Sequence, residues 1–434
     1  MRQDPIIMTL MVRDEADIIA AMLEHHLAQG IDHVIVTDNG SVDGTREILA
    51  DYEAAGLIEL QDDPRHEKQQ SDVVTRMARR AYDEFGAAWV INADADEFWV
   101  ADSGRTVAEA LRDVSDEVAS FNVPVRNMFG APLSAGSAVR NHVWRDERDL
   151  SELNAVGLHD HPTPDCVHRG SAEVEVAQGN HFTNLPLASD AEVPPTSRLT
   201  VLHFPYRTWP QYRHRVEVTA ESYRSSDKTP SPRHHVMRDA VWLEAGDLLP
   251  FHVARHPDLQ ADTAPAGFAR DGRVREGLES LLKDGARIHA RLEETMAEPV
   301  AFDDEAEARA RFDAIGRYMV AAADAQASAK YLEHDFHVQL SAREAADAEV
   351  ESLRDEVAQL VRERDGLRAR LTNAISTIDD LNAYIARFSS HPATKAAMLA
   401  FTPVDGQRKH AMRKLGQAAA ASVKRIGNKF RGKK

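Results

Sequence analysis

Residues Trp89–Trp99 read WVINADADEFW: a β-rich apolar run, Trp89-Val90-Ile91, that ends in Asp94, Asp96 and Glu97 within four positions. A short apolar run bounded by polar residues reads as a strand buried on both faces. Carboxylates at the end of such a strand have no packing reason to be there, because a buried charge without a partner is costly. Two of them at i and i+2 can reach one loop-side ligand where the chain turns. Hard oxygen donors suit Mg2+ or Mn2+, ions that bridge to phosphates. Taken alone, Asp94-Ala95-Asp96 is equally well a solvated turn, so the surrounding sequence has to decide.

From Pro5 to about Val125, short β-rich runs alternate with longer helical stretches, the pattern of βαβ units around a parallel sheet. Strands are expected at Ile6–Val12, His33–Thr37, Leu57–Gln61, Ala88–Asn92 and Val118–Val123, with helices at Ala16–Gln29, Asp43–Ala55 and Gln69–Phe85. In such folds the loops at the carboxyl ends of the strands form the crevice for a ligand. Two further polar clusters fall there. Val12-Arg13-Asp14-Glu15 closes the first strand, where Arg13 can meet phosphate and Glu15 can open the next helix. Thr37-Asp38-Asn39-Gly40-Ser41-Val42-Asp43-Gly44-Thr45 follows the second. Asn39-Gly40 is turn chemistry and Ser41 or Asp43 can cap the following helix, while Asp38 is placed to accept hydrogen bonds from a nucleobase or ribose.

In the order R-D-E, D-N-G-S-x-D-G-T and D-x-D-E-F, the three clusters resemble the glycosyltransferases of the family-2 type. The closest likeness is to a bacterial subgroup with a short amino-terminal N-E motif, a DNGSxDGT loop and a DxDEF motif. It is strong over residues 5–100 and looser to about 216, where Gly179-Asn180-His181 and Leu202-His203-Phe204-Pro205-Tyr206-Arg207 look like the later G-N-H and H-[YF]-P-x-R segments. One departure is Asp14, where the family usually has Asn. The resemblance implies an α/β fold, a GT-A-like nucleotide-diphospho-sugar domain with a mixed, mainly parallel sheet. It also implies a metal-dependent, inverting transfer of a hexosyl-type sugar to a glycan or lipid-linked acceptor, in cell-surface or extracellular polysaccharide synthesis.

Carried over residue by residue, the resemblance makes Arg13, Glu15, Asp38, Asn39, Asp43 and Asp94 the donor-binding set. Asp94, Asp96 and His203, with His181 as second choice, would hold Mn2+ or Mg2+. Asp96, Glu97 and Arg207 would serve the chemistry, Arg207 and Arg215 holding the departing diphosphate. Inversion needs a carboxylate base, and Asp146, Glu147, Asp160 and Asp165 are candidates that no motif separates. A nucleotidyltransferase would need a glycine-rich loop after the first strand, and Val12–Asp17 contains no glycine. The remaining alternative is a catalytically inactive nucleotide-binding scaffold that acts through its carboxyl-terminal segments.

With 434 residues the chain has room for two or three structural units, and 43% apolar with 28% charged residues marks a folded protein. Cys166 is the only cysteine, which excludes a disulfide framework and a cysteine-based zinc site and fits a reducing cytoplasm. The apolar run near the amino terminus, about seven residues long, is too short for a secretory core or a spanning helix, so a cytoplasmic protein is expected.

Beyond residue 125 the sequence is irregular to about 208, with strand-like runs at Ala172–Ala177 and Leu199–His203, and helical patterns resume from Trp209 to about Glu344. From Val350 a heptad repeat sets in. Its a positions are Val350, Val357, Arg364, Leu371, Ile378 and Ile385, and its d positions are Leu353, Leu360, Leu367, Ala374, Leu381 and Phe388. So narrow a seam, sustained over six heptads, predicts a self-associating coiled coil.

The net charge of −18 hides an asymmetry, because residues 391–434 carry eleven Lys or Arg against the single acid Asp405. Met412, Leu415, Ala419, Val423, Ile426 and Phe430 would share one helical face there, as in an interfacial helix on an anionic membrane, such as the inner face of the plasma membrane. No nucleic-acid partner is expected. The expected organisation is therefore 1–225 for the α/β domain, 226–345 for a helical extension, 346–390 for the coiled coil and 391–434 for the basic amphipathic tail.

Overall fold

The computed structural model describes residues 5–63, 70–224, 231–259 and 264–390, so the basic segment from 391, and the membrane contact expected of it, lie outside the described residues. The strands are β1 (Ile6–Val12), β2 (His33–Asp38), β3 (Ile58–Asp62), β4 (Trp89–Ala93), β5 (Glu97–Ala101), β6 (Ser120–Val123), β7 (Val125–Phe129), β8 (Leu133–Ala135), β9 (Trp144–Asp146), β10 (Asp165–Arg169), β11 (Leu199–His203), β12 (Phe268–Arg270) and β13 (Val300–Ala301). Six of them form one sheet in the order β3-β2-β1-β4-β10-β6. From β3 to β4 the neighbours run parallel, and β10 is antiparallel between β4 and β6. The sheet is mixed and mainly parallel, as expected. A second sheet has the order β12-β9-β7-β11-β5, and β8 pairs with β13.

Both faces of the first sheet are covered, which is why its strands are continuous apolar runs. Along β1, Ile6, Met8 and Leu10 belong to one core and Ile7 to another; along β4, Trp89 and Ile91 divide from Val90 in the same way. The helix Ile19–Ala28 covers one side. The helix Gln70–Asp83 covers the other with Val73, Val74, Met77, Ala78 and Ala81, spaced at helical intervals. The five expected strands lie within two residues of their observed bounds.

Ala172–Ala177 is not a strand. Its backbone is satisfied by side chains of the helix Gln70–Asp83 instead: Ser71 Oγ donates to Val176 O (2.6 Å), Arg79 Nε to Val174 O (2.8 Å), and Thr75 Oγ1 accepts from Val176 N (2.9 Å). With those groups spent, only an isolated bridge to Thr183 forms.

By its contacts the chain divides into two compact units, Met1–His334 and Asp335–Lys434. The expected boundary at 225/226 falls inside the first. Two features bind residues 231–334 to the α/β layers. Glu24, buried, accepts from Tyr52 Oη (3.0 Å) and from the backbone N–H groups of Arg287 (2.7 Å) and Ile288 (2.6 Å). A second core joins Phe129, Leu153 and Tyr206 to Val236, Trp242 and Phe251. At its centre Arg255, fully buried, donates to Asp239 Oδ2 (2.9 Å), Asp239 Oδ1 (3.1 Å) and Tyr212 Oη (2.8 Å). The long helix Glu305–Ser390 starts in this unit and lays Phe312, Met319, Val320 and Ala323 on the same core. In the second unit, every described side chain of that helix is exposed. Among the described residues no helix is long and apolar enough to cross a membrane.

Removing Arg255 takes two donors from the buried Asp239 carboxylate and leaves it Arg238 and Tyr212, so Arg255→Met is expected to lose about 1–3 kcal/mol of stability in urea unfolding. A second expectation concerns acid. Burial pushes His25 and His168 down to about 4 and His142 and His252 down to about 3. Unfolded, each takes up a proton near 6.5, so the unfolded chain binds more protons below that pH. The contribution is complete above about pH 6.5 and declines toward pH 4, by up to ~1.4 kcal/mol per pH unit for each histidine. The urea midpoint should therefore fall steeply from pH 7 to pH 4.5; a flat profile would contradict the burial of these rings.

Candidate active site

The parallel strands β1, β2 and β4 end at one edge of the first sheet. Because β10 runs the other way, its first residue, Asp165, starts at the edge where β4 ends. The edge therefore gathers residues 13–17, 38–45, 94–97 and 165.

Two loops there lock into each other. Asp14, at the left-handed φ of 55°, accepts from Val42 N (2.8 Å) and lies 3.0 Å from His214 Nε2. Its own N–H donates to Ser41 Oγ (3.1 Å), and Ser41 Oγ donates to Asp38 Oδ1 (2.5 Å). Asp43 accepts from Thr45 Oγ1 (2.6 Å), Thr45 N (3.0 Å) and Ala16 N (2.9 Å), so its carboxylate holds the loop–helix junction. Asn39 donates through Nδ2 to Asp63 O (2.8 Å). Asp38 is buried at the end of β2. Arg13 lies beside Asp14, its Nε 3.9 Å from Oδ2.

The Asp94–Asp96 turn meets these loops through one side chain. Arg207, fully buried, pairs with Glu15, with Asp17 (Nε–Oδ2 2.8 Å; Nη2–Oδ1 3.2 Å) and with Asp96 (3.4 Å). Arg215, partly exposed, adds a second guanidinium at 3.2 Å from Asp96 Oδ2. His203 Nε2 stands 3.5 Å from the same oxygen, while its Nδ1 faces Asn127 Oδ1 at 2.9 Å, which orients the ring. Burial works to raise the Asp96 carboxyl, but His203, Arg207 and Arg215 outweigh it and hold it well below the usual carboxylate range. Asp96 is thus the fixed negative charge of the site.

Its neighbour is tuned the opposite way. Burial, with Asp96 and Asp165 nearby, pushes the Asp94 carboxyl up to about 7. Asp94 Oδ1 accepts from Gln70 Nε2 (3.0 Å) and Asn180 Nδ2 (3.1 Å), and its backbone N–H donates to Glu97 Oε2 (2.9 Å). Glu97 is buried near Asp165 and raised well above the usual range by burial and by the Asp165 and Asp94 charges. Asp165, also buried, faces His181 Nδ1 at 3.0 Å. That contact, stronger than the opposing burial, raises His181 above its ordinary value.

Of the expected residues, Glu15, Asp96, Arg207 and His203 come together around Asp96, and Asp94, Glu97 and His181 around Asp165. Asp38, Asn39 and Asp43 sit in the interlocked loops. Of the four base candidates, Asp165 belongs to the cluster. Asp146 is held by Arg148 through two 2.8 Å contacts, Glu147 pairs with Arg145 (2.6 Å), and Asp160 bonds the neighbouring His161 N (2.8 Å). Sequence reasoning assigned no role to Asp17, Gln70 or Asn127, and it named Asn180 only as the middle of the G-N-H segment. Asn180 carried a signal, since it stands between Gly179 and His181 and adopts a left-handed φ of 62°; the other three carried none. Among the described residues no three His, Cys, Asp or Glu side chains form a ready-made metal cluster.

A family model described as glycosyltransferase family 92 matches residues 7–132, the segment that carries the clusters at 13–15, 38–45 and 94–97. No curated protein matches the chain. Among solved structures, Staphylococcus aureus TarS 1–349 is similar over 57% of this chain and 80% of its own, at 12% identity and a TM-score of 0.29, and the same protein has been crystallised with UDP. A mycobacterial protein is similar over 62% of this chain and 83% of its own, at 13% identity and a TM-score of 0.27. Glucosyl-3-phosphoglycerate synthase from Mycobacterium tuberculosis, solved with Mn2+, UDP-glucose and phosphoglyceric acid, is similar over 38% of this chain and 57% of its own, at 14% identity and a TM-score of 0.22. The matching model is numbered 92, whereas the motifs resemble the family-2 type; what the two have in common is the class, glycosyltransferase.

Proposed function

We propose that this chain transfers a sugar from a nucleotide-diphospho-sugar to an acceptor hydroxyl, with inversion at the anomeric carbon. The observation that carries the reading is the convergence of His203, Arg207 and Arg215 on Asp96, at the strand edge that also holds Asp38. Asp96 and His203 offer an oxygen and a nitrogen donor of the kind Mn2+ takes, with Asp94 next to them, and substrate phosphates and water complete the shell of such ions. A bound ion would supply positive charge to the leaving diphosphate. Asp38 receives the nucleoside. Arg215, the more exposed of the two guanidiniums, reaches the diphosphate, and Arg207, enclosed by three carboxylates, keeps Asp96 ionised and in place.

In the reaction the acceptor oxygen attacks the anomeric carbon, the bond from that carbon to the diphosphate oxygen breaks, and nucleoside diphosphate departs. The acceptor's proton needs a base. His181 is half-buried, and the carboxylate of Asp165 at its Nδ1 leaves Nε2 as the proton-accepting atom. The acceptor in this reading is a glycan or lipid-linked hydroxyl compound.

Two measurements test it. UDP should raise the melting temperature in the presence of Mn2+, and Asp96→Ala should abolish that shift. No metal-dependent shift and no turnover from a panel of nucleotide sugars would sink the enzyme, and a shift without turnover would leave the nucleotide-binding scaffold. His181→Ala should keep the Mn2+–UDP shift but lose roughly 10²–10⁴-fold in turnover. Loss of the shift instead would make His181 a metal ligand.

A further inference from the structure

Beyond Asp335 the helix carries an apolar seam on which, among the described residues of the second unit, nothing is packed. At the a positions Val350, Val357, Leu371 and Ile378 are 46–62% exposed, and at the d positions Leu353, Leu360, Leu367 and Leu381 are 53–57% exposed. A lone helix gains nothing from a sustained seven-residue apolar repeat; two helices that bury it against each other do. We propose that the seam is covered by the same helix of a second copy, in parallel and in register, so that the protein is a two-stranded homodimer. This inference stands apart from the reaction.

Three features of the repeat select that partner. Val350, Val357 and Ile378 at a, with leucine at d in Leu353, Leu360, Leu367 and Leu381, is the combination that favours two strands. Arg364 interrupts the a series. In a parallel pair each Arg364 enters a hole rimmed by Glu363 of the second copy, and its stem can carry the guanidinium out to water, which a closed three- or four-stranded core would prevent. The flanking positions add charge complementarity. In a parallel register, g meets the following e of the other strand, which sets Glu349 against Arg354 and Glu363 against Arg368, each pair occurring twice by symmetry. The intervening pairs, Glu356 with Val361 and Arg370 with Ile375, lay a charged residue's stem on an aliphatic side chain. An antiparallel pairing about the middle of the seam would instead set Arg368 against its own copy.

The full-length protein should sediment as a dimer of the 48.2 kDa chain; a monomer, trimer or tetramer would overturn the proposal. Leu360→Glu combined with Leu367→Glu should halve the mass and leave the thermal unfolding of residues 1–334 unchanged. Loss of that transition would mean misfolding, so orientation is read from a second, milder set. Leu353→Cys, near one end of the seam, should cross-link to a covalent dimer with oxidised glutathione while the wild-type chain does not; absence of the cross-link in a dimeric sample would rule out the parallel arrangement. Glu363→Arg and Arg368→Glu should each weaken the dimer and restore it when combined. A double variant no stronger than the singles would overturn the proposed register.

Discussion

One buried guanidinium ties the site to the fold. Arg207 has no access to water, and transfer of an arginine into such a place is costly unless its charge and its donors are all met. Glu15, Asp17 and Asp96 meet them, and they come from two places far from Arg207 along the chain: the loop after β1 and the turn after β4 are pinned to the segment after β11. The same contacts serve Asp96 in return, since a carboxylate at the end of a buried strand stays ionised only beside fixed positive charge. The interlocked loops around Ser41 and Asp43 rest on this arrangement, because Glu15 and Ala16 belong to both.

The polar groups divide into two sets by their surroundings. Around Asp96 the positive side chains win, and the carboxyl is held ionised. Around Asp94, Glu97 and Asp165 the acids crowd one another, with the imidazole of His181 against Asp165, so protons are held there more tightly than in water. Carboxylates a few residues apart thus carry different charge at the same pH, the kind of division that catalytic sites use to separate a permanent charge from groups that take and give protons. Arg273, Arg238 and the other paired arginines of the chain show that buried or half-buried ion pairs are common in this fold, so the division, rather than ion pairing itself, marks the site.

Much of this was legible in the amino-acid order. The strands of the first sheet declare themselves because both faces are covered, so apolar residues run without interruption from Ile6 to Met8 and from Trp89 to Ile91. The clusters at 13–15, 38–45 and 94–97 follow those strands directly and could be placed at one edge by the parallel rule alone. What escaped was set by contacts distant in sequence. Nothing near Asp165 announces that β10 reverses direction and enters between β4 and β6. Nothing in Asn127 or Asp17 foretells the ring or guanidinium each will hold. Ala172–Ala177 looked like a strand because its composition suits one, and its backbone was captured by Ser71, Thr75 and Arg79, about a hundred residues earlier in the chain.

The sequence separations in the Arg207 cluster carry a consequence for how the molecule comes into being. Arg207 lies 192 residues from Glu15, 190 from Asp17 and 111 from Asp96. As the chain is made from its amino end, the first sheet's parallel strands and all three acids exist well before their counter-ion does. Through that interval the strand edge is an acidic patch that repels its own closure, and hydration of the carboxylates competes with burial. The arrival of Arg207, followed by Arg215, brings the positive charge that lets the edge close, so the site is assembled only once about half of the chain has been made, and residues 231–334 then complete the unit around it.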